Sequence, residues 1–328
     1  MKPLRWGILG ASNFARKHMA PAIHAAKGAE LVGLATSSME NAEEKAAGFR
    51  AFAPQIKLYD GYDALLNDPD IDAVYIPLPN HLHVNRTRKA LSCGKHVLCE
   101  KPIALRADEI DSLIAARDAA GKLAAEAFMI VHHPQFIRAR ELVQGGAIGR
   151  LVHVESAFTY FNDDASNIRN RPSVGGGGLR DIGVYTMGAA RYVTGEEAQA
   201  IPYANLRYEN EVDVFAEFNA RFETFDFHSV ISMRMFPRQG ITFHGEKGVL
   251  TLHCPFNANV FDVAKLTLET AGQTVVTERW PEVDHYVNQV ENFCNSAQTG
   301  ADYPCKLEFS RGTQHMMDMV YAAGSPAG

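Results

Sequence analysis

Excess positive charge is missing from this 328-residue chain: 32 lysines and arginines stand against 38 aspartates and glutamates, a formal net charge of −6. A large nucleic-acid footprint needs clustered basic residues, and an anionic membrane surface draws on them too, so neither partner is expected. Cysteine is sparse. The five are Cys93, Cys99, Cys254, Cys294 and Cys305, an odd number with no C-x-x-C spacing. That argues against a disulfide framework and a zinc knuckle, and suits small buried thiols in a reducing cytoplasm. Long apolar runs are lacking as well; none approaches the ~18 residues of a membrane helix. Met1-Lys2-Pro3 passes directly into an apolar stretch at Leu4, without the apolar core and small-residue cleavage site of a secretory leader. The expectation is a cytoplasmic protein. What is present is ordinary globular material: 46% hydrophobic and 21% charged residues exclude disorder as the main state. The length suggests two domains.

The first third alternates short apolar runs with amphipathic stretches. The pattern predicts strands over 4–9, 30–35, 57–59, 73–76, 95–99 and 123–128, and helices over 14–26, 41–52, 62–66, 83–91 and 107–120. Such alternation builds βαβ units and a parallel sheet with right-handed crossovers. From about Gly149 the texture changes. Strands are predicted over 151–160, 211–222, 226–235, 240–244, 249–253 and 265–269, many in direct succession. Strands without crossover helices favour antiparallel or mixed pairing. Gly245-Glu246-Lys247-Gly248 fits a hairpin turn, and helices are expected over 285–297 and 309–322.

The first strand runs into Gly10-Ala11-Ser12-Asn13-Phe14-Ala15, a degraded dinucleotide fingerprint with G-x-S-x-x-A in place of G-x-G-x-x-G. The glycine permits the tight turn, small Ser12 lets backbone approach a pyrophosphate, and small Ala15 lets helix pack on strand. Backbone N–H groups at the helix start would receive the phosphates. A carboxylate at the tip of the second strand would bind the ribose 2′-hydroxyl of NAD. That strand ends instead in Ala35-Thr36-Ser37-Ser38. Its small hydroxyls could donate to a 2′-phosphate, which favours NADP while leaving NAD possible, although no arginine is visible at the expected spot. Glu100-Lys101-Pro102 follows the fifth strand and so lies on the ligand edge of an open α/β sheet.

Longer stretches carry a resemblance. Val74-Tyr75-Ile76-Pro77-Leu78-Pro79-Asn80, then His83, then Gly94-Lys95-His96-Val97-Leu98-Cys99-Glu100-Lys101-Pro102 is one. Glu126-Ala127-Phe128-Met129 followed by His133-Pro134-Gln135 is another, and Gly175-Gly176-Gly177-Gly178-Leu179-Arg180-Asp181-Ile182-Gly183-Val184-Tyr185 a third. Together they resemble the glucose–fructose oxidoreductase/inositol dehydrogenase/MocA family. The branch most similar holds glucose–fructose oxidoreductase, NADP-dependent xylose dehydrogenase and dimeric dihydrodiol dehydrogenase. The resemblance implies an N-terminal Rossmann domain, here residues 1–124. It implies a C-terminal α+β domain, residues 125–328, with a large open mixed, mostly antiparallel sheet. It also implies NAD(P)-dependent oxidation or reduction of sugars, polyols or related carbonyl compounds. Two departures stand out. Tyr185 occupies the place where inositol dehydrogenases carry histidine, and Ile130-Val131 replaces the Tyr-Arg pair of the similar branch.

Hydride transfer needs a reacting carbon held close to the nicotinamide and a group that handles the hydroxyl proton. Tyr185 is the candidate acid/base. A free phenol titrates at about 10 and a nearby ammonium lowers that value, a charge Lys101 would supply. Asp181, four residues before Tyr185, shares its face if a helix follows the glycines; it would orient substrate hydroxyls or Lys101. His133 and Arg169 are further substrate candidates. Gly10, Ala11, Ser12, Asn13, Phe14, Thr36, Ser37, Ser38, Pro77, Leu78, Asn80, His83, Glu100 and Lys101 are candidates for the cofactor. The run Gly175–Gly178 reads as a loop that could admit substrate closely. No His, Asp or Glu set has convincing metal spacing. An NAD-dependent polyol or trans-dihydrodiol dehydrogenase and a catalytically silent nucleotide-binding regulator are the alternatives. A one-sided sheet should not leave a large apolar face in water, so a homodimer or homotetramer through the C-terminal sheet is expected.

Overall fold

The computed structural model describes residues 2–324. The chain divides into two compact units. The first comprises the chain through 104 together with 108–129 and 284–311; the second comprises 105–107, 130–283 and the chain from 312 onward.

The first unit holds six parallel strands: β1 (Leu4–Leu9), β2 (Ala29–Thr36), β3 (Lys57–Asp60), β4 (Ala73–Ile76), β5 (His96–Cys99) and β6 (Ala124–Glu126). Their order is β3-β2-β1-β4-β5-β6. The order reverses between β1 and β4, and an open α/β sheet binds ligands above the carboxyl ends of its strands at such a point. All four residues of β4 are buried, as expected for a strand covered on both faces. Trp6 of β1 is fully buried. Its ring meets Phe293, 5.0 Å between centroids, on the helix His285–Thr299. Tyr286, Val290, Phe293 and Cys294 of that helix are buried, one apolar stripe at helical spacing. Burying each large apolar side chain contributes roughly 1.5–3 kcal/mol, which ties this late segment to the first unit. Asp284 caps the helix by accepting from the Tyr286 amide at 2.8 Å.

The second unit holds β7 (Leu151–Phe161), β8 (Ala200–Glu209), β9 (Val212–Arg221), β10 (Asp226–Ser232), β11 (Arg234–Gly245), β12 (Gly248–Leu252), β13 (Ala264–Thr270) and β14 (Thr274–Trp280). They form one sheet in the order β14-β13-β12-β11-β7-β10-β9-β8. Only β7 and β10 pair in parallel; the remaining neighbours are antiparallel. The expected hairpin joins β11 to β12, with His244 opposite Val249. The edge strands β8 and β14 and the helix Pro134–Gln144 were not foreseen from sequence. No residue of β8 is buried, so it lacks the alternation that marks a strand, and Pro202 is tolerated because edge strands leave N–H groups unpaired. Among the described residues, no helix is long and apolar enough to cross a membrane.

Candidate active site

In the first unit, Gly10 turns the chain out of β1 at φ +111, a conformation that side-chain-bearing residues avoid. A Cβ there would also lie 3.0 Å from Leu78, so the loop after β4 closes on this turn. The Ser12 amide donates to Gly10 O, and the Ser12 hydroxyl accepts from the Ala15 amide at 3.0 Å. The amides of Asn13 and Phe14 remain at the helix start, where an anion is favoured. The helix opens with a wide π-type turn, Ala15–Met19, before the α-helical Ala20–Ala25. Phe14 packs edge-on against Tyr286, centroids 5.8 Å apart, a neighbour that sequence order conceals.

At the tip of β2, Thr36 is buried and its hydroxyl donates to Ser38 O at 2.7 Å. Ser37 and Ser38 are exposed. Lys45 reaches back to Glu40 O, 3.3 Å away. Arg16 lies across Gly48, whose missing Cβ would fall 2.3 Å from the arginine Cδ. Its Nη2 is 3.5 Å from Asn13 Oδ1. Arg16 therefore lies between the glycine turn and the helix Ala42–Arg50 that follows β2.

Around Lys101, His83 is fully buried and its ring nitrogens sit 2.7 Å from Pro102 O and 2.7 Å from Leu78 O. It ties the Lys101-Pro102 turn to the Pro77–Asn80 loop, and burial lowers its pKa. Asn80 opens a short turn, Asn80–Leu82. Tyr75 donates to the Glu100 carboxylate, and Glu100 Oε2 accepts from the Lys101 amide at 3.2 Å. Glu126 is buried and accepts from the Ile103 amide at 2.8 Å. Burial raises its pKa, and Lys101 pulls the other way. Lys101 thus sits half-buried in the field of two carboxylates.

In the second unit, Leu179–Gly183 forms another π-type turn leading into the α-helix Val184–Thr194. Such turns often mark functional sites. Asp181 Oδ2 accepts from the Tyr160 hydroxyl at 2.7 Å and pairs with Arg169 Nε at 2.9 Å. Burial first and Asp181 second push the Tyr160 phenol far up, so it stays a donor. The charge of Arg169 also acts on Tyr185. Tyr185 is 5% exposed, its ring beside Phe158 and Phe256 with centroids 5.8 and 6.0 Å away. His133 is fully buried and caps the helix Pro134–Gln144, Nδ1 accepting from the Gln135 amide. Burial lowers its pKa to about 4. Arg171 is exposed. Tyr160 escaped the sequence reading because nothing local distinguishes a strand-end tyrosine.

The glycines 175–178 are all buried, a packed segment rather than an open loop. Beside them stands Asp213 of β9, 3% exposed. Burial pushes its carboxyl up to about 6, against the Leu179 amide, the Tyr321 hydroxyl and Arg180. The sign follows. An unfolded aspartate titrates near 3.9, so the folded state binds this proton more tightly, and this charge opposes folding above about pH 6. Asp213→Asn is expected to raise stability by about 2–3 kcal/mol at pH 8, a gain that fades as pH falls through this window towards 4. Melting temperatures measured across that range check it.

Residues 4–128 match the family described as oxidoreductase, NAD-binding Rossmann fold, and residues 136–251 match the GFO/IDH/MocA C-terminal domain. The D-xylose 1-dehydrogenase (NADP(+)) 2 of Haloferax volcanii is 33% identical over 97% of this chain and 96% of its own length. The chain belongs to the GFO/IDH/MocA oxidoreductase family. A second member, the dTDP-3,4-didehydro-2,6-dideoxy-alpha-D-glucose 3-reductase of Streptomyces antibioticus, is 31% identical over 98% of this chain and 94% of its own. In structure, the 3-ketoreductase KijD10 of Actinomadura kijaniata, crystallised with NADP and TDP-benzene, superposes with a TM-score of 0.89. It shares 27% identity, and the match covers 98% of each chain. That reductase has also been crystallised with one lysine replaced by alanine or glutamate, and with one tyrosine replaced by phenylalanine.

Proposed function

We propose that the chain is an NADP-dependent oxidoreductase of sugar-type substrates, moving a hydride between nicotinamide and a carbinol, lactol or ketone carbon. The observation that carries the reading is in the second unit: a phenol, Tyr185, one helical turn beyond a carboxylate, Asp181, that Arg169 and Tyr160 hold in place. The relatives support it. One is named for NADP and xylose, another for a dTDP-sugar ketone, and KijD10 was crystallised with NADP. The lysine and tyrosine replaced in KijD10 stand one position beyond Lys101 and Tyr185 in chain count.

The residues fit a pyridine dinucleotide, because the Gly10 turn leaves backbone amides and no side chain where a pyrophosphate would lie. When bound, the nicotinamide supplies or accepts the hydride. The amides of Asn13 and Phe14 hold the pyrophosphate. Ser37, Ser38, Lys45 and Arg16 hold the 2′-phosphate. The Tyr185 hydroxyl gives its proton to the carbonyl oxygen in reduction and takes it back in oxidation. Asp181 accepts from substrate hydroxyls, and Lys101 of the first unit is the ammonium proposed for the reaction. An absorbance screen for NADPH formation over pentoses, hexoses, polyols and diols, with the reverse reaction on ketoses and diketones, tests the reading. Tight NADPH binding without turnover on any of them would leave a binding protein instead.

The 2′-phosphate contact has its own test. One charge-assisted hydrogen bond contributes about 1.5–3 kcal/mol, so Arg16→Ala is expected to raise the Kd for NADP+ roughly tenfold or more. The Kd for NAD+ should stay within about twofold, since the 2′-hydroxyl offers no charge to pair. Titration of both cofactors decides.

The sheet of the second unit leaves Phe236 89% and Phe161 61% exposed, with Val152, Val275 and Val276 also in water. A groove of about 530 Å³ lined by Ser156, Thr159, His228 and Thr251 runs across it. A second copy of the chain is the proposed occupant. Light scattering at micromolar concentration is expected to give twice or four times the monomer mass, and a monomer there would remove this part of the proposal.

A further inference from the structure

The helix that carries Asp181 and Tyr185 lacks a cap of its own. Gly178 stands at the N-cap position of Leu179–Gly183 and has no side chain to offer. The first amides of a helix need an acceptor, and a buried one left unmet costs about 1–3 kcal/mol. The acceptor comes from 34 residues further along: Asp213 Oδ2 takes the Leu179 amide at 2.7 Å. Its other oxygen accepts from the Tyr321 hydroxyl at 2.9 Å. The glycine run makes this approach possible. Gly177 has φ +138, and a Cβ on it would lie 2.2 Å from Asp213 Oδ1. The Asp181 amide then bonds Gly177 O at 2.9 Å, so the same anchored segment fixes the residue that Tyr160 and Arg169 grip.

We infer that Asp213 is a positioning residue: its buried carboxylate sets the first turn of the Asp181/Tyr185 helix, and through that turn the placement of both side chains. The inference rests on the proposed roles of Asp181 and Tyr185 for its catalytic consequence, though not for its geometry. A negative group at a helix start also complements the helix dipole. The charged or titratable groups facing Asp213 are Tyr321, Tyr208 and Arg180. Arg180 lies over the Tyr321 ring, 5.4 Å from its centroid, and donates to Gly176 O, closing the anchor from the other side. Asparagine can replace the carboxylate, its oxygen accepting from Leu179 and its amide donating to a reoriented Tyr321 hydroxyl. Alanine cannot.

The test is amide hydrogen exchange on the full-length chain at pH 7.5, read by mass spectrometry, for wild type, Asp213→Ala, Asp213→Asn and Tyr321→Phe. Asp213→Ala is expected to speed exchange over 177–185 at least tenfold, while β1, β4 and β5 exchange as in wild type. Asp213→Asn restores protection, and Tyr321→Phe gives an intermediate loss. If Asp213→Ala fails to fold, the graded order of the other two still decides. Wild-type protection of 177–185 in both Asp213→Ala and Tyr321→Phe, or in Tyr321→Phe when Asp213→Ala is unfolded, overturns the inference. On the best substrate of the sugar panel, Asp213→Ala is expected to lower kcat more than tenfold with the KM for NADPH unchanged, and Asp213→Asn to recover kcat to within about threefold. A fully active Tyr185→Phe alongside a deprotected Asp213→Ala would refute the role of Tyr185 and leave the anchor standing. An inactive Tyr185→Phe alongside a fully protected, fully active Asp213→Ala would refute the anchor alone.

Discussion

Tyr185→Phe is expected to lower kcat by roughly two to four orders of magnitude, the usual contribution of a positioned general acid or base. The expected loss is about 3–5 kcal/mol of transition-state stabilisation. The substitution removes one oxygen and keeps the ring beside Phe158 and Phe256, so packing and melting temperature should hardly change. The Kd for NADPH, measured by fluorescence titration, should stay within about twofold, because every residue assigned to the cofactor belongs to the first unit. The signature is therefore a fall in kcat with cofactor binding intact. Turnover near the wild-type rate would remove Tyr185 from proton transfer.

Lys101→Ala is the companion experiment, with kcat/KM expected to fall by roughly two to three orders of magnitude, as when a preorganised electrostatic contact to the developing charge is lost. Lys101 lies in the field of Glu100 and Glu126, and His83 fixes the backbone of the turn that carries it. Removing the ammonium leaves that scaffold intact and deletes only the charge. Arginine is not expected to rescue it, because a planar guanidinium cannot replace a compact ammonium in so confined a turn. Full activity in Lys101→Ala would show that the proton-handling apparatus lies entirely elsewhere.

Local signals made most of the first unit legible. The helix Ala107–Ala120 and the strand Ala73–Ile76 match the predicted bounds because a short apolar run marks a buried strand and Gly121 marks the end of the helix, both signals held in contiguous residues. The edge strands β8 and β14 did not show, since neither buries a residue and so neither carries the alternation of a strand with one buried face. Tyr185 and Lys101 could be singled out as candidates because each sits in a contiguous motif. Tyr160, Asp213, Tyr286 and Arg16 could not, because each acts on residues brought near by folding. Asp213 meets Leu179 across 34 residues, and Tyr160 meets Asp181 across 21.

The amino-acid order alone was therefore enough to predict the parallel sheet and the glycine turn after β1 and to carry the family resemblance, and it nominated Tyr185 and Lys101 as the proposed proton-handling groups. Tertiary structure decided what holds the elements that carry them: the carboxylate that caps the Asp181/Tyr185 helix, the arginine and tyrosine that grip Asp181, the histidine that fixes the Lys101-Pro102 turn, and the return of residues 284–311 to the first sheet. The division has a physical cause. Periodicity and turn chemistry are set by neighbours within a few residues, whereas a buried polar group must find its partner wherever the fold provides one.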